Sequence, residues 1–173
     1  MKKEIRTKLK NRAIAMAREP EQKGAASATI GLVAFTLAAE TYAIESAFVR
    51  EVYPLKDFTH LPGVPSYIFG IVNVRGQILP VVDLKKFFNL PEKGLGDLNR
   101  VIILYDEQME FGILADVVNG TREVEHEDIL TVPATVTGIG EEYLKGVTQE
   151  RLIVLNAERL LSDRSIVVND EVS

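Results

Sequence analysis

From Ile30 onward the chain is a series of short apolar runs broken by polar or Gly/Pro positions, the spacing of strands rather than long helices. Leu32 to Leu37 reads as a strand, Ala38-Ala39-Glu40 as a turn, and Tyr42 to Tyr53 as an extended segment that Pro54 ends. Ile68 to Val74 and Gln77 to Val82 flank Arg75-Gly76 and predict a hairpin, with a short helix over Asp83 to Asn89. After a Gly-rich loop, Val101 to Tyr105 and Glu110 to Ala115 flank an acidic turn, Asp106 to Met109. Asp116 to Val124 continues extended, and Glu125 to Gly140 reads as a loop. Leu144 to Thr148 and Arg151 to Leu155 predict a second hairpin, and Ala157 to Leu161 a second short helix. Upstream the period changes. Ile5, Leu9, Ala13, Met16 and Ala17 recur at helical spacing, which predicts a helix over 5–18 stopped by Pro20, then an Ala-rich linker.

The two halves repeat one plan. Tyr67-Ile68-Phe69-Gly70-Ile71-Val72 parallels Tyr143-Leu144-Lys145-Gly146-Val147-Thr148, and Val81-Val82-Asp83-Leu84 parallels Val154-Leu155-Asn156-Ala157. Each pairs a buried strand with a helix that opens at an Asp or Asn cap. From Gly70 to Val82 is 12 positions and from Gly146 to Leu155 is 9, so the first hairpin is longer. The extra length falls around Asn73-Val74-Arg75-Gly76, a connection suited to a binding contact.

Charge and composition narrow the function. The net charge is -5, but residues 1–24 hold eight Lys or Arg and three Glu, leaving -10 for the remainder. An acidic body argues against nucleic acid as a partner. There is no Cys, which removes thiolate chemistry and disulfides. His60 and His126 stand apart with no metal-ligand spacing, and no phosphate loop or nucleophile elbow is present. These features predict a chain with no catalytic, cofactor or metal site. The charged N-terminus leads into no apolar signal segment, and no apolar run is long enough for a membrane span, so a cytoplasmic location is expected. The organisation expected is a basic extension over 1–29, a β domain over 30–162 and an acidic tail over 163–173.

The most specific stretch is Leu61-Pro62-Gly63-Val64-Pro65-Ser66-Tyr67-Ile68-Phe69-Gly70-Ile71-Val72-Asn73-Val74-Arg75-Gly76-Gln77-Ile78-Leu79-Pro80-Val81-Val82-Asp83-Leu84. It resembles the chemotaxis coupling-protein (CheW) family. The likeness extends over roughly residues 30 to 162 through Val49-Arg50-Glu51-Val52, Phe111-Gly112-Ile113-Leu114 and Leu152-Ile153-Val154-Leu155-Asn156. The resemblance implies an all-β fold of two intertwined SH3-like five-stranded β-barrels and no catalytic activity. It implies an adaptor that binds the regulatory domain of the histidine kinase CheA and the cytoplasmic tip of methyl-accepting chemoreceptors, recruited to receptor arrays. It assigns Arg75, Asn73 and Val49 to receptor binding, and Gly70 and Glu51 to kinase binding. Strand alternation places Val49 and Glu51 on one face. Gly70, between Phe69 and Ile71, marks a bulge or a close backbone approach. An apolar groove between the two lobes, edged by Arg75, would take a helical hairpin tip. Two other readings remain open: an oligonucleotide-binding barrel, and a same-fold adaptor in another signalling pathway.

Overall fold

The computed structural model describes residues 28–91, 99–133 and 139–166; the helix expected over 5–18 lies outside them. Residues 28–30 and Val124–Asp128 belong to a small separate unit, in which the His126 amide donates to the Ala28 carbonyl at 2.8 Å. The remaining described residues form the main unit.

The described residues form eleven strands, of which β4 was not expected: β1 (Thr29–Leu37), β2 (Glu40–Glu45), β3 (Val49–Pro54), β4 (Phe58–Thr59), β5 (Ile68–Val74), β6 (Gln77–Val82), β7 (Arg100–Tyr105), β8 (Glu110–Ala115), β9 (Val117–Glu125), β10 (Leu144–Val147) and β11 (Ile153–Leu155). Helix α1 (Leu84–Phe87) follows β6, and α2 (Ala157–Ser162) follows β11. The predicted strand over Tyr42 to Tyr53 is two strands instead. A 3-10 turn at Ser46–Phe48 divides it and sends β2 and β3 into different sheets.

One sheet has the order β3-β7-β8-β6-β5-β4, the other β10-β11-β2-β1-β9. β3 and β4 lie at opposite edges of the first sheet and are joined by only three residues, so this sheet closes on itself. In the second, Leu130 and Val147 exchange backbone hydrogen bonds of 3.0 and 2.8 Å, bringing the chain after β9 against β10. Counting bent β3–β4 as one strand, both barrels have five, as the sequence resemblance implies. They are intertwined: hairpin β1–β2 sits in the barrel completed by β9–β11, and hairpin β7–β8 in the barrel of β3–β6.

The sequence repeat is visible in atomic detail. The Asp83 amide donates to the Tyr67 carbonyl at 2.7 Å, and the Asn156 amide to the Tyr143 carbonyl at 2.8 Å. The Asp83 carboxylate accepts from the Lys85 amide, and the Asn156 side chain from the Arg159 amide, each at 3.0 Å, so both helices start on side-chain caps.

One apolar core serves both barrels. Phe35, Tyr42 and Ile44 of β1–β2 meet Ile102 and Leu104 of β7, Phe111 and Ile113 of β8, and Leu160 of α2. A second core fills the first barrel, built from Val72, Val74, Leu79, Val81, Val101, Ile103 and Leu114. β7 feeds both: Ile102 and Leu104 enter the shared core, Val101 and Ile103 the barrel core. Packing runs on past Ser162. Ile166 is fully buried, the Tyr67 hydroxyl donates to the Ser165 carbonyl at 2.6 Å, and the Tyr143 hydroxyl donates to Asp163 at 2.5 Å.

A buried ion pair ties the barrels together. Lys85 of α1 donates through Nζ to Asp116 Oδ1 at 2.6 Å, with 4% and 14% of the side chains exposed. Asp116 Oδ2 also accepts from the Ala38 amide at 2.9 Å, in the β1–β2 turn of the other barrel. Removing one partner strands a desolvated charge, whereas removing both does not. Asp116→Ala is therefore expected to cost about 3–5 kcal/mol in urea unfolding, and adding Lys85→Met to recover part of that loss. Equal stability of the single and double variants would refute the pairing. Burial, and secondarily the Glu40 carboxylate, push the Tyr42 phenol up to about 12. A proton held more tightly in the folded state stabilises the fold below the unfolded tyrosine pKa, and this contribution fades as pH rises through the folded one. Stability should fall between about pH 10 and 12, and Tyr42→Phe should flatten that fall in denaturant titrations.

Candidate functional site

Hairpin β5–β6 carries the residues singled out by the sequence. Val74 and Gln77 are cross-strand partners, so Arg75-Gly76 is a two-residue turn. Arg75 has φ +55° and Gly76 +85°, the two positive values that the type I′ hairpin turn requires. Glycine takes this backbone freely, but arginine does so at roughly 1–2 kcal/mol. Asn73 Oδ1 accepts from the Gly76 amide at 2.8 Å and offsets part of that cost. Asn73 thus shapes the turn through its side-chain oxygen.

Arg75 has 79% of its side chain exposed, and its Nη2 lies 3.2 Å from Glu51 Oε1, itself 21% exposed. So exposed a pair adds little stability; its effect is to orient the guanidinium. Val49 and Glu51 do not share a face as alternation predicts. A bulge between them sets Val49 against Leu104 of the shared core and Glu51 against Ile103 of the barrel core. Val49 packs partly buried on the shared core, and Glu51 reaches the hairpin.

Gly70 is buried, at a register shift in β5. A Cβ there would overlap the Thr59 carbonyl oxygen, and one on Gly146 would crowd the Leu130 carbonyl in the other barrel. At these two equivalent points the backbone that closes each barrel crosses a glycine. The close approach read from the sequence is present, and Gly70 offers no surface contact of its own.

The region holds residues that the sequence did not single out. Arg50 Nε donates to Glu110 Oε2 at 2.7 Å, and its guanidinium lies 4.2 Å from the Tyr105 ring centre. Glu110 Oε1 accepts from Gln77 Nε2 at 3.2 Å. Tyr105 and Glu110 are cross-strand partners on β7 and β8, while Arg50 arrives from β3 on the far side of β7. Only the strand order brings these groups together, so no local motif announces them. Ile78, cross-strand partner of Asn73, is 56% exposed, and Val52 is 38% exposed. The shared core packs between the barrels, and a cleft of about 350 Å³ opens on the first barrel's surface beside the hairpin, lined by Gln77, Ile78, Pro80, Glu107, Met109 and Glu110.

Among the described residues no group of three or more His, Asp or Glu could hold a metal ion, and no helix is long and apolar enough to cross a membrane. What this rim offers is shape, two guanidinium groups and exposed apolar side chains, the means of protein recognition. The family model described as a CheW-like domain matches residues 31–165, which span both barrels and the hairpin. The chain belongs to the CheW-like family. It is 37% identical over 142 residues to the "Chemotaxis protein CheW" of Treponema pallidum, covering 78% of this chain and 84% of that protein. It is 31% identical over 137 residues to the "Chemotaxis protein CheW" of Bacillus subtilis, covering 78% of this chain and 88% of that protein. The crystal structure of the scaffolding protein TtCheW from Thermoanaerobacter tengcongensis superposes with a TM-score of 0.71 at 28% identity, covering 84% of this chain and 96% of that one.

The barrel-closing glycines of this CheW-like fold make a direct prediction. Gly70→Ala and Gly146→Ala should each destabilise the fold by about 1–3 kcal/mol in denaturant unfolding, because a backbone carbonyl must move to admit the methyl. Wild-type stability in either variant would show that the crossing segment yields freely.

Proposed function

We propose that this chain is a chemotaxis scaffold that joins the regulatory domain of the histidine kinase CheA to the cytoplasmic tip of methyl-accepting chemoreceptors, and is recruited from the cytoplasm to their arrays. The work is done by binding rather than by chemistry. Membership of the CheW-like family and the chemotaxis names of its relatives support this reading. The observation that carries the receptor half is Arg75: an exposed guanidinium on a turn whose backbone is fixed by Asn73 and whose side chain is steered by Glu51.

A guanidinium so placed can give a carboxylate two parallel hydrogen bonds, or donate to carbonyls at a helix end. Ile78 and Val52 add apolar surface on the same barrel, which suits an amphipathic helical tip. Val49 and Asn73 contribute from beneath, Val49 through the packing of β3 and Asn73 through the turn. For the kinase half, Gly70 sets how closely the β4 segment lies on β5, and Glu51 sits on β3, the strand that runs into β4. A substitution at Gly70 therefore reaches the kinase contact through the shape of the barrel.

Titration of the full chain against a receptor-tip fragment, and separately against the kinase regulatory domain, tests this. Arg75→Glu replaces a largely exposed side chain, so folding should be retained. Receptor-tip affinity should drop about tenfold or more, and kinase-domain affinity should drop less, because Arg75 reaches the kinase contact only through its exposed pair with Glu51. Receptor binding unchanged by the charge reversal would overturn the assignment of Arg75. Failure of the folded wild type to bind either fragment would overturn the scaffold reading itself.

A further inference from the structure

Arg50, Glu51, Arg75, Gln77 and Glu110 form two neighbouring polar sets on the rim of the first barrel. Glu110 takes Arg50 on one carboxylate oxygen and Gln77 on the other. Gln77 lies two residues from Arg75, Arg75 pairs with Glu51, and Glu51 follows Arg50 in the chain. The bulge between Val49 and Glu51 lies where two successive residues of β3, Arg50 and Glu51, each take a partner on this rim.

Glu110 is the member with leverage. It sits at the start of β8, with only 16% of its side chain exposed, and is fixed to β7 by pairing with Tyr105. β6 pairs with β8 at Val81 and Val82, so the outer half of β6 has β5 alone as its ladder partner in that sheet. The Gln77–Glu110 hydrogen bond spans the resulting cleft and ties the loose end back to β8. Arg50, stacked on Tyr105, holds the carboxylate in place from the other side.

We propose that Glu110 is a positioning residue for the receptor contact: it holds the β5–β6 hairpin so that Arg75 is presented in one orientation. This rests on the assignment of Arg75 under the proposed function. Without Glu110 the hairpin end moves, Arg75 samples more directions, and binding must order it first. The ordering of one long side chain and a short turn corresponds to about a three- to tenfold loss of affinity.

The test uses the full chain and the receptor-tip fragment, with Glu110→Gln, Glu110→Asp, Arg75→Ala and the double variant Glu110→Gln/Arg75→Ala. Glu110→Gln is expected to weaken receptor-tip binding three- to tenfold and to speed amide hydrogen exchange at Gly76 and Gln77. Glu110→Asp keeps the charge and should restore part of the affinity. The double variant should bind no more weakly than Arg75→Ala alone, because Glu110 acts through Arg75. Additive losses in the double variant, or unchanged hairpin exchange in Glu110→Gln, overturn the positioning role. Arg75→Ala binding as tightly as wild type overturns the receptor assignment on which that role rests, and is told apart by needing no Glu110 variant.

Discussion

Strand β7 has no solvent face. Its alternate side chains enter two different cores, and this double burial is the constraint on which the rest of the molecule depends. A strand covered on one side alternates apolar with polar; one covered on both must be apolar throughout, as Val101-Ile102-Ile103-Leu104 is. Because β7 and β8 form a wall of the first barrel and the floor of the shared core, neither barrel is complete without the other. The Lys85–Asp116 pair reinforces the same junction, from helix α1 of one barrel to the β1–β2 turn of the other. Its desolvation leaves little net stabilisation, and its value lies in geometry: few arrangements satisfy a buried ammonium.

Much of this was legible in the chain. The strands around Arg75-Gly76 and around Asp106–Met109 were read almost to the residue, because apolar runs and turn residues alternate sharply there. The repeat pointed to paired hairpins with capped helices, and the shared Tyr67/Asp83 and Tyr143/Asn156 hydrogen bonds bear it out. What stayed hidden has physical causes. The break at Ser46–Phe48 carries no Gly or Pro, so nothing local marks the crossing from one barrel to the other. The bulge at Val49–Glu51 reversed a face that alternation assigned, since one inserted residue shifts the parity of every later position. Ile166 looked like part of an acidic tail because its burial depends on a surface built from distant strands.

The candidate site shows the same division. Arg75, Asn73 and Gly70 stand in a contiguous motif and could be found by reading it. Arg50, Tyr105 and Glu110 come together only through the order β3-β7-β8, which one sequence does not reveal. The structure also separates what these positions do. Arg75 faces outward, Asn73 and Glu51 constrain it, and Gly70 is an absence of side chain where two backbones cross. Grouping them as equal contacts would miss that Arg75 is a largely exposed side chain whereas Gly70 is buried.

The interleaving of hairpins has a consequence for how the protein is made. β2 pairs in parallel with β11, more than a hundred residues downstream. As the chain leaves the ribosome, β1–β2 emerges first but has no barrel to join until Leu155 has been added. The first barrel likewise waits for β8 while its glycine crossing and hairpin are already out. Synthesis thus leaves two half-built barrels exposed side by side, and both close late, within the span of a few dozen residues.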